Sequence, residues 1–176
     1  LKNKMHALKI SFNGNPNIGL YGFATDSYCL MPIHISSKLI AKIKQVLDVP
    51  VYQLSIAGTD LLGALCVGNS DLLLVPEIVR DEEIKQLEKH KLPYKIIKTK
   101  LNALGNNILI KGDTCLVNPE FDQETIEQLK KLNLKVLKGE IAESPTVGSC
   151  AVITSKGCLI HRDASEKEIE RIEKLF

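Results

Sequence analysis

Apolar and polar positions recur along the chain with a period of about 43 residues. Each period holds two short apolar runs around a turn of Gly, Asn or Asp, and then apolar residues at three- and four-residue spacing. The paired runs predict a β-hairpin, and the spacing that follows predicts a helix with one buried face. A further apolar run follows each of the first three helices, so the pattern predicts a repeated ββαβ unit.

Particular residues mark the boundaries of the predicted elements. The glycines that open the four repeats are Gly19, Gly63, Gly105 and Gly148. We expect them to be structural, allowing a close approach of strands or a positive φ. The predicted helix starts are Ser36, Asp81, Asp122 and Ser165, the last in a capping box with Glu168. The predicted helical stripes are Leu39, Ile43, Val46 and Leu47; Ile84 and Leu87; Ile126, Leu129 and Leu132; and Ile169, Ile172 and Leu175.

A single ββαβ unit cannot cover both faces of its small sheet and the apolar side of its helix, so neighbouring units must bury them. Because each hairpin occupies a small wedge with its helix on one side, we favour a ring, a pseudo-symmetric α/β propeller. The predicted blades comprise residues 7–50, 51–93, 94–134 and 135–176. A two-domain ferredoxin-like pair is the alternative, but it predicts twofold rather than fourfold internal similarity.

The composition indicates an ordered globular protein and argues against some classes of function. Among 176 residues, 23 basic and 21 acidic side chains give a net charge of +2. This balance argues against binding to nucleic acid by bulk charge, and the four Tyr and four Phe supply few stacking platforms for bases. No apolar run approaches the roughly 18 residues that a membrane span needs. The amino end lacks the apolar middle of a secretory signal, and Leu1 indicates a trimmed or extended start with Met5 as initiator, so we expect a cytoplasmic protein.

The five cysteines are expected to be reduced thiols rather than disulfides or metal ligands. Their number is odd, no two form a Cys-x-x-Cys pair, and no histidine lies at zinc-ligand spacing. Cys29, Cys115 and Cys158 fall at nearly the same position of the repeat, which predicts one core slot filled by a small apolar side chain. The stretch 14–19 has the glycine spacing of a phosphate-binding loop without the Lys-Ser/Thr that follows it, so no nucleotide or other cofactor is expected.

Five short motifs occur in order along the chain: Asn17-Ile18-Gly19, Ser55-Ile56-Ala57-Gly58, Cys66-Val67-Gly68-Asn69, Ala103-Leu104-Gly105-Asn106 and Thr146-Val147-Gly148-Ser149. From about Ser11 to Phe176 the chain resembles the archaeal translation initiation factor 6 family. The resemblance implies a five-bladed α/β propeller of the pentein fold, of which four blades are visible. The family's last blade, with a Gly-Thr-Val-Asn stretch and a closing Thr-Thr-Gly-Pro-Glu, has no counterpart after Phe176. The sequence is therefore expected to be either part of a longer protein or a chain whose ring of blades is left open.

The resemblance also implies a function. Family members bind the large ribosomal subunit on the face that meets the small subunit, which prevents premature joining, and in eukaryotes they also serve in large-subunit maturation. The implied contact is a ribosomal protein of the uL14 class near the sarcin–ricin loop of the ribosomal RNA. A rigid body excludes the small subunit by its volume. The resemblance thus implies a non-enzymatic protein, monomeric when free, without a small-molecule substrate or a membrane.

The loops that open the blades are expected to cluster at one end of the propeller and to carry the binding residues. By the resemblance, the candidate ribosome-binding residues are Asn106, Thr59, Ala64, Asn69 and Asn102. Asn106 would hydrogen-bond a partner's backbone, the alternative being that it only caps its turn. The family often has a larger residue where Ala64 stands, which weakens the case for a side-chain contact there.

A run of lysines without an intervening acid includes Lys95, Lys98 and Lys100. These side chains are candidates for contacts with the phosphates of the subunit RNA, and such binding would weaken as salt rises. The alternative is a solvated helix end followed by an edge strand.

Pentein folds also include guanidine-modifying hydrolases with a Cys nucleophile, so a hydrolase of this type is the alternative function. His34 and His161 lie just beyond predicted strand ends, where either could approach a thiol. A reactive cysteine needs a base and a positive environment. One shared core slot explains the three aligned cysteines better than a single nucleophile does.

Overall fold

The computed structural model describes residues 7–176, so Met5 lies outside the described residues. The strands are β1 (Phe23–Ala24), β2 (Cys29–Pro32), β3 (Val51–Leu54), β4 (Val67–Gly68), β5 (Leu73–Pro76), β6 (Tyr94–Ile97), β7 (Ile108–Lys111), β8 (Thr114–Val117), β9 (Lys135–Lys138), β10 (Ala151–Thr154) and β11 (Gly157–Ile160). The helices are α1 (Ser37–Leu47), α2 (Leu62–Leu65), α3 (Asp81–Lys89), α4 (Leu104–Asn107), α5 (Gln123–Lys131) and α6 (Glu166–Leu175). Two 3-10 turns are η1 (Ile18–Leu20) and η2 (Val147–Ser149).

Within residues 7–176 the strands form small sheets that repeat one topology. Three sheets have the strand orders β1-β2-β3, β4-β5-β6 and β7-β8-β9, and β10 pairs with β11 alone. In each three-stranded sheet the hairpin is antiparallel, and the helix returns the chain to add a third strand parallel to the second. This repetition confirms the predicted pseudo-symmetric α/β fold of ββαβ units.

The third strand of each sheet pairs with the hairpin that precedes it. β3 pairs with β2 from Cys29↔Val51 to Pro32↔Leu54, and β6 and β9 pair with β5 and β8 in the same way. The predicted blade boundaries after residues 50, 93 and 134 therefore fall within the three sheets. The division into blades stays a prediction, and boundaries placed after β3, β6 and β9 keep each sheet whole.

The four predicted helix starts are confirmed, three as N-caps and Asp81 as the first residue of α3. The confirmed N-caps, whose side chains accept a hydrogen bond from the first turn, are Ser36, Asp122 and Ser165. The capping box of Ser165 with Glu168 is also present. The N-cap of α3 is Arg80, whose N–H donates a hydrogen bond to the Glu83 carboxylate at 2.9 Å.

The apolar core lies mainly between consecutive units. Leu30 of the first sheet and Val75 of the second belong to one buried cluster, and Leu74 and Val117 join the second unit to the third. A further cluster joins the third unit to the fourth through Leu116 and the helix α6. Neighbouring units therefore bury one another's apolar faces, as the repeat predicts. The arrangement of the units around one axis, as in a propeller, stays a prediction.

The glycines that open the repeats lie where consecutive units meet. A Cβ on Gly63 would lie 1.9 Å from the Gly19 carbonyl oxygen, and one on Gly105 would lie 2.1 Å from the Gly63 oxygen. A Cβ on Gly148 would lie 2.1 Å from the Gly105 oxygen. These three positions therefore need glycine because another backbone passes too close for a side chain. None of the four glycines has a positive φ, and at Gly19 a Cβ would have no heavy atom within 4 Å.

A buried carboxylate anchors the loop between β3 and α2. Glu83 is 4% exposed and accepts hydrogen bonds from the N–H groups of Ala57 at 2.7 Å and Gly58 at 2.8 Å. The Ser55 hydroxyl, at 2.8 Å, and the Arg80 N–H also donate to it. Burial acts to raise the pKa of Glu83, but the hydrogen bonds outweigh burial and hold the pKa below its ordinary value.

We expect Glu83→Gln to lower the stability by about 1 to 3 kcal/mol at neutral pH, because the carboxamide NH₂ cannot accept these hydrogen bonds. Since the folded-state pKa is lowered, the carboxylate stabilises the wild type above its unfolded pKa of about 4.3, and this stabilisation is lost as the pH falls through the folded pKa. The melting temperature of the variant should therefore fall less steeply in acid. The exposed neighbour provides the control Glu82→Gln. Identical melting curves for the two variants across this pH range would contradict the anchoring role.

Candidate functional site

The loops that open the repeats form one continuous row. η1 contacts α2, α2 contacts α4, and α4 contacts η2. The close approach of the repeat glycines produces this arrangement, because it brings each loop backbone against the next. We call η1, α2, α4 and η2, with the two residues on either side of each, the loop row. It includes Ala64, Asn102 and Asn106, whereas Asn69 lies in the hairpin turn between β4 and β5.

Asn106 lies in α4 and is half-buried, and its side-chain amide has no hydrogen-bond partner among the described residues. Its backbone N–H donates to the Ala103 carbonyl at 3.0 Å. The side chain that closes this turn belongs to Asn107, whose Nδ2 donates to the same carbonyl at 2.9 Å. The Asn106 side chain is therefore not used in capping, and its amide is available to a partner.

Asn102 immediately precedes this turn and carries a buried side-chain oxygen. Its Oδ1 has no hydrogen-bond partner within residues 7–176, while its backbone carbonyl accepts from the Leu104 N–H at 2.9 Å. A buried acceptor without a donor destabilises the fold. The segment 102–106 thus contains one half-buried amide without a partner, at Asn106, and one buried oxygen without a donor, at Asn102.

Thr59 and Ala64 have little to offer a partner. The Thr59 hydroxyl donates to the Ile56 carbonyl at 3.0 Å and accepts from the Leu61 N–H at 3.2 Å, so it stabilises its own turn. Ala64 is 7% exposed. The contact expected at its side chain is therefore not supported, because neighbouring residues cover the methyl group.

Asn69 links the turns of two hairpins. Its Nδ2 donates to the Gly112 carbonyl at 2.9 Å, and its Oδ1 accepts from the Asp71 N–H at 2.9 Å. The Tyr28 hydroxyl donates to the Asn69 carbonyl at 3.2 Å, and burial raises the pKa of this tyrosine. The Asn69 side chain thus serves the fold rather than an exposed contact. Sequence reasoning missed this link, although Asn69 and Gly112 lie 43 residues apart, one repeat.

The lysines of the predicted phosphate contact lie on and beyond an edge strand. Lys95 is in β6, and Lys98 and Lys100 follow it; all three are exposed, and none forms an ion pair with another described residue. The backbone at Lys98 is held in place, since its N–H donates to the Gln128 side chain at 3.0 Å and its carbonyl accepts from the same side chain at 2.9 Å. By contrast, Lys135 of the next unit pairs with Asp113 at 2.8 Å.

The thiols do not form a nucleophilic site with the candidate histidines. Within residues 7–176 no cysteine sulfur is hydrogen-bonded to a histidine; His161 Nδ1 accepts from the Asp163 N–H at 3.3 Å, and His34 is exposed. Burial raises the pKa of Cys29 to about 11 and that of Cys115 to about 12. Such thiols stay protonated at neutral pH and are poor nucleophiles.

The predicted shared core slot holds for two of the three aligned cysteines. Cys29, Cys115 and Cys158 occupy the same register position in their hairpins. Cys29 and Cys115 are buried, but Cys158 is exposed. The exposure of Cys158 accompanies a difference between the sheets, because among the described residues β11 has no third strand beside it, whereas β2 and β8 each have one.

The cavities of the described residues differ in their lining: one of about 270 Å³ is lined in part by polar side chains, among them His34, Ser36 and Asp60. A cavity of about 350 Å³ is lined by apolar side chains, among them Met31, Ile43 and Leu47. No helix in residues 7–176 combines the length and the apolarity needed to cross a membrane. In the same residues no group of three His, Cys, Asp or Glu side chains is placed to bind a metal ion.

Solved structures of similar shape identify the fold. A dimethylarginine dimethylaminohydrolase superposes with a TM-score of 0.62 at 14% identity, over 91% of this chain and 66% of that enzyme. The amino-terminal domain of a cyanobacterial arginine dihydrolase gives a TM-score of 0.56 at 11% identity, over 89% of this chain and 64% of that one. These likenesses confirm the pentein-type α/β fold and, at such low identity, carry no information on activity.

Relatives in sequence identify the family of the chain. Translation initiation factor 6 of Methanococcus maripaludis strain C5 is 37% identical over 96% of this chain and 77% of its own length. The factors of Methanocaldococcus jannaschii and Pyrococcus abyssi are 38% and 36% identical over 94% and 98% of this chain, which matches 75% and 79% of their lengths. The eIF-6 family model matches residues 7–176. The chain therefore belongs to the eIF-6 family.

Proposed function

We propose that the protein binds the large ribosomal subunit and prevents the small subunit from joining it, and that the same bound state serves in large-subunit maturation. Membership of the eIF-6 family across residues 7–176 is the observation that carries the proposal. The proposed partner is a ribosomal protein of the uL14 class near the sarcin–ricin loop, and the proposed place of action is the cytoplasm.

The mechanism proposed is exclusion by volume, without a chemical step. A stable complex needs an interface of about 1,000 Å² or more in total. Units that bury one another's faces give the rigid body that such an interface needs, since little ordering accompanies binding. The thiol pKa values and the absence of a cysteine–histidine contact in the described residues support a non-enzymatic role over a guanidine hydrolase.

The proposed protein contact is the α4 end of the loop row. Asn106 brings an amide with both donors and an acceptor unused, which suits a partner's exposed backbone. Asn102 precedes the same turn and is half-buried, but its Oδ1 is buried, so this oxygen does not reach a partner on the surface. Thr59 and Ala64 contribute to this surface by shaping the fold around it, whereas Asn69 lies in a hairpin turn outside the loop row.

The proposed RNA contact is made by Lys95, Lys98 and Lys100. Co-sedimentation with isolated large subunits at increasing salt tests it. Replacing all three by Gln is expected to reduce the slope of log affinity against log salt by about 2, since each phosphate contact adds roughly 0.7 to 0.9 to that slope. The matched control replaces three exposed lysines of α1, Lys38, Lys42 and Lys44, by Gln. Equal slopes for the two triple variants would contradict the RNA contact while leaving the binding itself measurable.

A further inference from the structure

Three turns of the same form precede η1, α2 and η2. In each turn the first residue forms an isolated β-bridge with the residue three positions later; the bridged pairs are Phe12–Asn15, Ile56–Thr59 and Ile141–Ser144. The two central residues have positive φ in all three turns, at Asn13 and Gly14, Ala57 and Gly58, and Ala142 and Glu143. The bridge uses only the N–H groups of the outer residues, so those of the central pair are left for another acceptor.

A glutamate of the following helix is that acceptor in the second and fourth units. The donors to Glu83 of α3 are the Ser55 hydroxyl and the N–H groups of Ala57, Gly58 and Arg80. Glu168 of α6 accepts from the Ser165 N–H at 2.7 Å, and hydrogen bonds from the backbone of Ser165 and Ala142 hold the pKa of its carboxyl below the ordinary value. Both glutamates stand three residues after the N-cap of their helix.

The first unit keeps these donors but has no carboxylate at the equivalent position. Leu39 stands three residues after the N-cap Ser36, where α3 and α6 have glutamate. The donors equivalent to those of Glu83 are the Ser11 hydroxyl and the N–H groups of Asn13, Gly14 and Ser36. None of the four has a hydrogen-bond partner among residues 7–176.

The third unit provides the contrast, because it lacks both the carboxylate and the turn. Its helix has Thr125 three residues after the N-cap, and neither Thr99 nor Lys100 has the positive φ of the equivalent turn residues. The first unit keeps the turn without a carboxylate because Asn13-Gly14 is a pair that favours positive φ at both central positions. The N–H groups of this turn are therefore already arranged for an acceptor.

These donors border the cavity of about 270 Å³ between the first and second units. Ser11, Asn13 and Ser36 line it together with the side chain of Leu39, and Asp60 lines it from the second unit. A ligand can pack its carbon atoms on Leu39 while its oxygens meet the donors. The negative charge of Asp60 disfavours a phosphate dianion more than a singly charged carboxylate.

We propose that this cavity, which we call the first-turn cavity, binds a carboxylate group, carried by a free organic acid or by an acidic side chain of another protein. The argument is that the chain itself binds a carboxylate twice with equivalent donors. Hydrogen bonds to a charged acceptor are stronger than those between neutral groups. Three of the four donors are backbone groups held by the turn and the helix, so binding requires little ordering.

Titration of ¹⁵N-labelled protein with sodium acetate, followed by amide chemical shifts, tests the proposal. We expect the amide protons of Asn13, Gly14 and Ser36 to move downfield along one saturating curve, with a dissociation constant of roughly 1 to 100 mM for so small a probe. Sodium chloride at the same ionic strength should leave them in place. Ser11→Ala should weaken acetate binding severalfold, because it removes a donor. Ser27→Ala, at an exposed serine of the first hairpin turn, should not.

A second titration distinguishes the two sources of the carboxylate. The probe is the peptide acetyl-Gly-Glu-Gly-amide, with the glutamine peptide as its control. Binding of the glutamate peptide more tightly than acetate supports an acidic side chain of a partner protein. Binding no tighter than that of acetate supports a free organic acid.

A carboxylate placed within the chain provides an independent check. Leu39→Glu should occupy the donors and abolish the response to acetate, whereas Leu39→Gln, of the same size without the charge, should still respond. A Leu39→Glu variant that binds acetate like the wild type would overturn the proposal. So would wild-type amide shifts that are no larger in acetate than in chloride.

Discussion

Replacing Gly105 by alanine is expected to destabilise the fold by about 3 kcal/mol, because the new methyl group has no space between two backbones. An ideal Cβ at this position would lie 2.1 Å from the Gly63 carbonyl oxygen and 2.7 Å from the Cys66 carbonyl oxygen. Backbone atoms cannot rotate away as the end of a side chain can. The second and third units would have to separate, and the buried cluster that joins them would open.

Gly19→Ala is the matched control for this prediction. It opens the first repeat as Gly105 opens the third, but a Cβ there would have no heavy atom within 4 Å. Its effect on stability should stay within about 1 kcal/mol. Urea unfolding of the two variants and the wild type provides the comparison. A Gly105→Ala variant as stable as Gly19→Ala would show that the units are not held together at these glycines.

Asn106→Lys is expected to weaken binding to the large subunit by about tenfold or more, because a bulky charge would replace the amide at the centre of the proposed contact. The melting temperature should hardly change, since the Asn106 side chain has no hydrogen-bond partner among the described residues and the turn is closed by Asn107. Binding is measured by co-sedimentation with purified large subunits. Gln45→Lys, exposed on α1, provides the same charge change away from the loop row. Equal binding by the two variants would remove Asn106 from the interface.

The repeated hydrophobic pattern predicted most of the fold because every unit obeys the same local rules. Leu30, Leu74 and Leu116 are equivalent in sequence, in hairpin register and in burial. Strand pairing across a helix was less predictable, since no local pattern shows that Val51 lies beside Cys29 rather than beside the following hairpin. The N-cap of α3 was equally hard to predict, since Arg80 is not a typical capping residue and its N–H is bound by the carboxylate of Glu83, three residues further on.

The candidate site could be predicted as a set of loops but not as a set of available side chains. The motif around Gly105 correctly indicated a loop beside its neighbours in space, because the glycine spacing encodes the contact. Whether a polar side chain in or near such loops is free depends on distant partners. The Asn69 side chain donates a hydrogen bond to the Gly112 carbonyl of the next hairpin, whereas the Asn106 side chain has no hydrogen-bond partner in the described residues. Cys158 illustrates the same limit, since its exposure depends on what lies beside β11.

Subunit joining, followed by sucrose-gradient sedimentation, tests most directly the proposed role as a steric block between ribosomal subunits. Large subunits are incubated with the protein, small subunits are added, and the joined ribosomes are separated from the free subunits. We predict that the joined peak falls as the protein approaches one copy per large subunit, that the protein sediments with the large subunit, and that Asn106→Lys restores joining. An unchanged joined peak at saturating protein would contradict the proposed function.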